Sequence, residues 1–325
     1  MLEGHSAGVS DVAWSPDGAF VASASDDGSV CVWDAAAGRQ ACRPLRGHAN
    51  FVMCLAFSPR SSLLASGSFD ESVRLWDLRQ ARCARAIQAH SEPVTGVAFH
   101  PDGTTLASAS FDGLVRLWEP LTGQCLKTLQ EEGVPPVGAL RFAPNGRALL
   151  TASLDARARL WDFVQARRLK TYAGHANGSL CAGLAFVSTG ARPAAIAVGG
   201  EDGCATLYDV QSRRALQVIG GHAGAVVALD AHPGCDVIAT SGSGATPALA
   251  ARGAGTGAGA GAGAGAGVGA GAGAGGAAEE AGAGMDTGAG GGVGGGAGAM
   301  PSASPEPTIP CGEIRLWADR GVSLW

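Results

Sequence analysis

His48 and Asp70 sit close together in the sequence with serines nearby, and a serine, a histidine and an aspartate are the parts of a nucleophilic hydrolase. The same parts recur along the chain. The histidines are His5, His48, His90, His175 and His222, and the aspartates are Asp27, Asp70, Asp112, Asp155 and Asp202. An enzyme has no use for the same active site five times over. The repetition therefore reads as a structural device that pairs buried polar groups with one another. Other chemistry lacks its parts. No nucleophile elbow and no phosphate-cradling glycine loop occurs outside the repeats. The nine cysteines contain no C-x-x-C pair and no Cys/His set at zinc spacing, so no metal and no cofactor is expected and the chain does not read as an enzyme.

The totals exclude further classes. A net charge of -5 provides no broad basic field for nucleic acid. No apolar run reaches membrane-spanning length, and MLEGHSAG carries no secretory pattern. An odd, unpatterned cysteine set fits a reducing intracellular compartment. The sequon Asn177-Gly178-Ser179 is expected to be silent there.

The elements that position these residues follow from the period. SGSFDESVRLWD at 66–77 returns as SASDDGSVCVWD from Ser23, SASFDGLVRLWE from Ser108, TASLDARARLWD from Thr151 and VGGEDGCATLYD from Val198. The key aromatics are Trp33, Trp76, Trp118, Trp161, Tyr208 and Trp317, at intervals of 43, 42, 43, 47 and 109 residues. Within a repeat, Val94–Phe99, Thr105–Ser110 and Leu114–Trp118 read as strands, with His-Pro-Asp-Gly at 100–103 as a turn. A period of about 40–45 residues with G-H and W-D marks is that of a WD40 β-propeller, an all-β fold. One four-stranded sheet cannot bury both faces, but radial packing against two neighbours can. Six repeats are recognisable. In such repeats the turn Asp bonds the loop His, which reaches the Trp indole through a strand Ser or Thr. The fourth repeat departs from this, with Glu-Glu-Gly at 131–133 in place of Gly-His.

Three segments follow. Residues 1–242 hold five repeats and the start of a sixth, 243–310 are rich in Gly and Ala, and 311–325 hold the last propeller strands. The middle segment has too few bulky apolar groups to offset its ordering entropy and reads as a disordered loop, with a silk-like stacked sheet as the rival reading. It splits the last repeat between Val237–Thr240 and Glu313–Trp317, in the turn where the structural Asp would stand. Loop length adds closure entropy only logarithmically, so that blade can still form.

HANFVMCLAFSPRSSLLASGSFDESVRLWD at 48–77, AHSEPVTGVAFHPDG at 89–103, SFDGLVRLWEPLTGQCLKTL at 110–129, PPVGALRFAPNG at 135–146 and LKTYAGHANG at 169–178 are more specific than a bare WD signature. They resemble the WD-repeat subunit family of COMPASS and trithorax-type histone H3 lysine-4 methyltransferase complexes. That family has seven repeats, and this chain opens at what resembles its second. Three arrangements follow: a truncated gene model, a six-bladed ring, or an open ring. Gly321–Trp325 is a candidate for the outer strand of the last blade.

The resemblance implies a non-catalytic scaffold in the nucleus, with the cytoplasm as a second location, a monomer within a hetero-complex. Its implied partners are a SET-domain methyltransferase, core complex subunits and the histone H3 tail, with no direct nucleic acid and no membrane. It also implies two sites. A central channel that holds an arginine side chain maps to Ser10, Asp11, Asp26, Met53, Phe69, Thr95, Phe111, Leu180, Cys181 and Gly183. Met53 and Gly183 stand where the family clamps the guanidinium between two Phe rings. A cleft on the opposite face that takes an acidic-aromatic segment maps to Asn145, Leu160, Gln211 and, in one alignment, Val187. An alternative function comes from Trp76-Asp77-Leu78-Arg79, which resembles the W-D-x-R box of substrate receptors for cullin-type ubiquitin ligases.

Overall fold

The computed structural model describes residues 2–131, 133–180, 182–187, 195–232 and 237–243, and the backbone of 313–318 and 323–324. Nearly all of the 243–310 segment lies outside the described residues. No helix occurs among those described. Among the described residues, no helix is long and apolar enough to cross a membrane.

The strands form six antiparallel sheets, here called blades. Blade one holds β1 (Val9–Trp14), β2 (Phe20–Ser25), β3 (Ser29–Asp34), β4 (Arg39–Gln40) and β5 (Leu45–Arg46). Blade two holds β6 (Val52–Phe57), β7 (Leu63–Ser68), β8 (Ser72–Asp77) and β9 (Arg82–Gln88). Blade three holds β10 (Val94–Phe99), β11 (Leu106–Ser110), β12 (Leu114–Trp118) and β13 (Cys125–Gln130). Blade four holds β14 (Val137–Phe142), β15 (Leu149–Ser153), β16 (Arg157–Asp162) and β17 (Arg167–Ala173). Blade five holds β18 (Leu184–Val187), β19 (Ala195–Gly199), β20 (Cys204–Asp209) and β21 (Ala215–Gly220). Blade six holds β22 (Val226–Ala231), β23 (Val237–Gly242), β24 (Glu313–Ala318) and β25 (Ser323–Leu324). Strands β23 and β24 pair across the long insertion, and β25 pairs with β24 as the outer strand.

Alternation along each strand sends apolar side chains to both faces, and each inter-blade layer is a core of its own. Ala22, Val30, Val52, Leu64 and Trp76 fill the layer between blades one and two. Leu150, Tyr172, Ile196, Val198 and Tyr208 fill that between four and five. The inner strands are also joined by polar links. Asp11 Oδ2 accepts the Leu55 N–H at 2.7 Å, and Thr95 Oγ1 donates to the Val137 carbonyl at 2.6 Å. At the perimeter a cation from one outer strand reaches the next blade. Arg85 donates to the Leu121 carbonyl, Lys127 to that of Val164 and Lys170 to those of Val210 and Gln211.

Among the described residues, the inner strands β1 and β22 do not pack on each other as the other neighbouring inner strands do. Asp11 and Ala13 of β1 turn toward blade two, so alternation turns Val12 and Trp14 the other way, where they are 55% and 64% exposed.

Candidate functional site

Five of the six inner strands, all but β18, break register by one residue near their start, as between Val52 and Cys54 or Val94 and Gly96. Such bulges bend the strand. They lie at the face where the Asp turns meet the central channel.

In blades one to three the polar set forms a chain. The Trp33, Trp76 and Trp118 indole N–H groups each donate to Ser23, Ser66 and Ser108 Oγ at 2.8 Å. Those hydroxyls lie 2.7 Å from Nε2 of His5, His48 and His90. The Nδ1 atoms then lie 3.1, 3.0 and 2.9 Å from Asp27, Asp70 and Asp112. One direction satisfies every group: Trp gives to Ser, Ser to His, and His to Asp. The serine proton is thus committed to a histidine and its oxygen to an indole. The His48 and His90 side chains are fully buried, so no substrate reaches them. The arrangement holds structure and does not present a nucleophile.

Blades four to six depart from it. Glu131-Glu132-Gly133 replace the Gly-His of the other repeats, and the buried Arg159 takes over the pairing of the turn Asp. Arg159 pairs with Asp155 and, through Nε at 3.2 Å, with Glu131, which also meets Arg168. Asp155 therefore bonds an arginine, not a histidine. In blade five, Val198 occupies the position of the strand hydroxyl. Tyr208 reaches past it and places its own hydroxyl 3.1 Å from His175 Nδ1. Asp202 does not bond His175 and accepts the Cys204 N–H instead. In blade six, His222 Nε2 lies 2.8 Å from Thr240 Oγ1, and β24 carries Trp317 beside β23.

Two consequences can be measured. His48→Ala or Asp70→Asn leaves a buried partner unsatisfied and is expected to cost about 1–3 kcal/mol of stability, read from urea midpoints. An unchanged midpoint would contradict the pairing. The second concerns pH. Burial holds the His48, His90 and His175 imidazoles below their ordinary value, against the pull of nearby carboxylates. The unfolded chain takes up these protons near pH 6.5, and the folded chain only lower. Stability is therefore whole above about pH 7 and falls as pH drops through about 6.5, by up to about 1.4 kcal/mol per unit for each histidine. Asp70 acts lower still. Burial opposes its charge, but the Ser72 hydroxyl, the Ala49 N–H and His48 outweigh burial and hold the carboxyl down to about 2. Its contribution is lost as pH falls from about 4 toward that value. Urea midpoints taken from pH 8 to pH 5 check the histidine window, and a midpoint that rises on acidification would contradict it.

The central channel is a cavity of about 290 Å³ lined by all six inner strands. Of the residues assigned to it by resemblance, Ser10, Asp11, Met53, Thr95 and Gly183 lie on its wall. Asp26 is at the rim, where its Oδ1 accepts the Ser10 hydroxyl at 2.7 Å. Asp11 is less available than its charge suggests. Both of its oxygens take backbone N–H groups, from Leu55 and Val12, and burial pushes its carboxyl up in pKa. Asp26 is the freer anion. Leu180 is exposed at the rim, where its N–H joins those of Gly178 and Ser179 on the Glu201 carboxylate. Phe111 is half-buried, with its N–H on the Pro93 carbonyl. Cys181 lies outside the described residues.

The clamp positions differ from each other. Met53 is half-buried in the wall. Gly183 has no room for any side chain: a Cβ there would stand 2.5 Å from the Leu229 nitrogen and 2.8 Å from the Ala228 carbonyl carbon of β22. An aromatic surface exists beside the channel instead. Phe69, 43% exposed, meets Phe51, 47% exposed, edge to face at 6.1 Å. Phe51 was not singled out from sequence. Its signal was a bulky aromatic in a polar loop, His48-Ala-Asn-Phe51.

On the opposite face, Asn145, Leu160 and Val187 line one cleft of about 240 Å³ between blades four and five. Gln211 does not line it. Its neighbour Val210 does, because the turn after β20 points Val210 inward and leaves Gln211 exposed, its carbonyl on Lys170. The sequon asparagine Asn177 is buried, with Nδ2 3.4 Å from the Ser153 carbonyl.

Blades around a common channel, buried Trp-Ser-His-Asp chains and two open depressions define a WD40 β-propeller used for protein interaction. The chain belongs to the WDR5 beta-propeller domain family, whose profile matches residues 1–248. A second similarity is local. It is 48% identical over 42 residues to the probable cytosolic iron-sulfur protein assembly protein Ciao1 of Culex quinquefasciatus. That match covers 13% of this chain and 12% of that protein, the length of one repeat.

Proposed function

We propose that this chain is a non-catalytic scaffold of a histone H3 lysine-4 methyltransferase complex, held in the nucleus by that assembly. The observation that carries the reading is family membership over residues 1–248. The geometry supports it in two places. The channel presents Asp26 and Ser10 to an incoming cation, and the cleft of Asn145, Leu160 and Val187 offers an apolar floor to a core subunit. The methyl transfer belongs to a SET-domain partner. A fold alone specifies no partner, so this step rests on family resemblance.

The arginine-binding role is weakened here. Each ring-to-cation contact contributes roughly 0.5–2 kcal/mol, so two absent rings cost about 1–4 kcal/mol, roughly fivefold to nearly a thousandfold in affinity. Met53 packs only softly on a guanidinium. The cleft is the stronger anchor of the two sites.

Reconstitution tests the reading. Addition of this chain to a SET-domain enzyme and its core subunits is expected to raise methylation of histone H3 at lysine 4, and the chain alone to transfer no methyl group. No stimulation at saturating chain would count against it.

A further inference from the structure

The underside of the propeller carries two more inter-blade clefts besides that of blades four and five. Blades two and three leave one of about 320 Å³, and blades one and two leave one of about 370 Å³. Their charges differ. The first holds Asp102 and Glu119 beside Arg60, with Asp102 held ionised at about 2, chiefly by the Thr104 N–H. The second carries Arg60 and Arg79 at its rim, with Asp17 as its acid. Asp17 is already committed, to the Ser15 hydroxyl at 2.6 Å and the Ala19 N–H at 3.1 Å. Among the described residues, neither Arg60 nor Arg79 has a carboxylate partner. Between them the cleft is apolar, with Phe20, Val32 and Leu78. Cys42 completes it as a half-buried thiol that burial keeps neutral.

An apolar floor with two unpaired guanidinium groups at its edge matches one chemistry. We propose that the cleft between blades one and two docks an extended acidic peptide of a partner protein. An aliphatic or aromatic side chain enters over Phe20 and Leu78, and carboxylates on either side of it meet Arg60 and Arg79. Guanidinium groups pair carboxylates in a two-point geometry that orients the peptide. The rim pairs are exposed, so they steer and select, while the buried apolar anchor supplies most of the affinity. The proposal is independent of the methyltransferase reading, because it uses neither the channel nor the cleft of Asn145.

Phage-displayed random heptapeptides selected on the intact immobilised chain supply the test. Enriched sequences are synthesised and titrated against the wild type, R60Q/R79Q, R60E/R79E and R147E, where Arg147 lines the cleft between blades four and five. The expected peptides carry Asp or Glu around one apolar residue. They weaken as ionic strength rises and shield Cys42 from alkylation, read by mass spectrometry. Binding falls by about tenfold or more on R60Q/R79Q, further on R60E/R79E, and is unchanged on R147E. Both rim arginines are exposed, and the glutamine variant serves if charge reversal perturbs folding. Three results would each overturn the proposal. One is selection without acidic enrichment. Another is full binding to R60Q/R79Q. The third is a loss confined to R147E, which would move the peptides to the cleft between blades four and five.

Discussion

Gly183→Phe is expected to destabilise the propeller by about 3 kcal/mol or more, and to leave the channel without an aromatic clamp. The family resemblance, which implies a ring at this position, invites the substitution as a repair. The structure predicts the reverse, because β22 closes on Gly183 with backbone atoms, which cannot turn aside as a flexible side chain can. Even Gly183→Ala places its Cβ against the Leu229 nitrogen, so a cost of about 1–3 kcal/mol is expected there too. Urea midpoints of both variants check this, alongside titration with an arginine-bearing histone H3 tail peptide. A phenylalanine variant as stable as the wild type that bound the peptide more tightly would show that β18 and β22 can separate, contrary to the packing described. Met53→Phe is the contrasting change. Met53 faces the cavity, and a ring there has space to occupy.

The second large effect is expected at Arg159. Its guanidinium is buried, bonds Asp155 and lies within ion-pair distance of Glu131. Arg159→Met keeps the length and the packing but leaves Asp155 without its cation and Glu131 with Arg168 alone. Removing one partner of a buried ion pair costs about 3–5 kcal/mol. Glu131 and Asp155 retain some contact with solvent, so the lower end, about 3 kcal/mol, is expected. The triple change E131Q/D155N/R159M removes the unpaired charges as well and is expected to recover much of the loss. If Arg159→Met alone left the midpoint within about 0.5 kcal/mol of the wild type, the typical range for an inconsequential surface change, the cluster would not be holding blade four.

Both predictions sit where the repeat pattern fails, and the limits of sequence reading lie there too. In blades one to three the tetrad is legible, because the loop His, the turn Asp, the strand Ser and the Trp recur at fixed spacing. Fixed spacing on paired strands puts them at fixed places in each sheet. The Glu at 131 and the Tyr at 208 were visible as departures. What replaced the missing partners was not. Arg159 is one of many arginines in the chain, and only the fold shows that it is buried against Glu131. Tyr208 reads as a conservative aromatic exchange. Its hydroxyl becomes a substitute for the strand Ser only because Val198 leaves that place empty of oxygen.

The candidate sites divide in the same way. Ser10, Met53 and Thr95 were assigned to the channel by the family resemblance, and the structure brings them to one channel wall. Asp11 could be placed there but not weighed. That both of its oxygens are occupied depends on the Leu55 N–H of the neighbouring blade. Gln211 missed the cleft by one residue, because the inward direction of a turn side chain is set by turn geometry and not by periodicity. The exposure of Val12 and Trp14 is likewise a property of blade packing, since an apolar strand residue reads the same whether or not a neighbour covers it.

The most direct test of the scaffold role is affinity purification of the tagged chain from its own cells, with quantitative mass spectrometry of what accompanies it. A SET-domain methyltransferase and its core subunits, enriched in stoichiometric amounts and lost on disruption of the cleft at Asn145 and Leu160, is the predicted result. Recovery of a cullin and its adaptor without any SET-domain protein, or of chaperones alone, would contradict it.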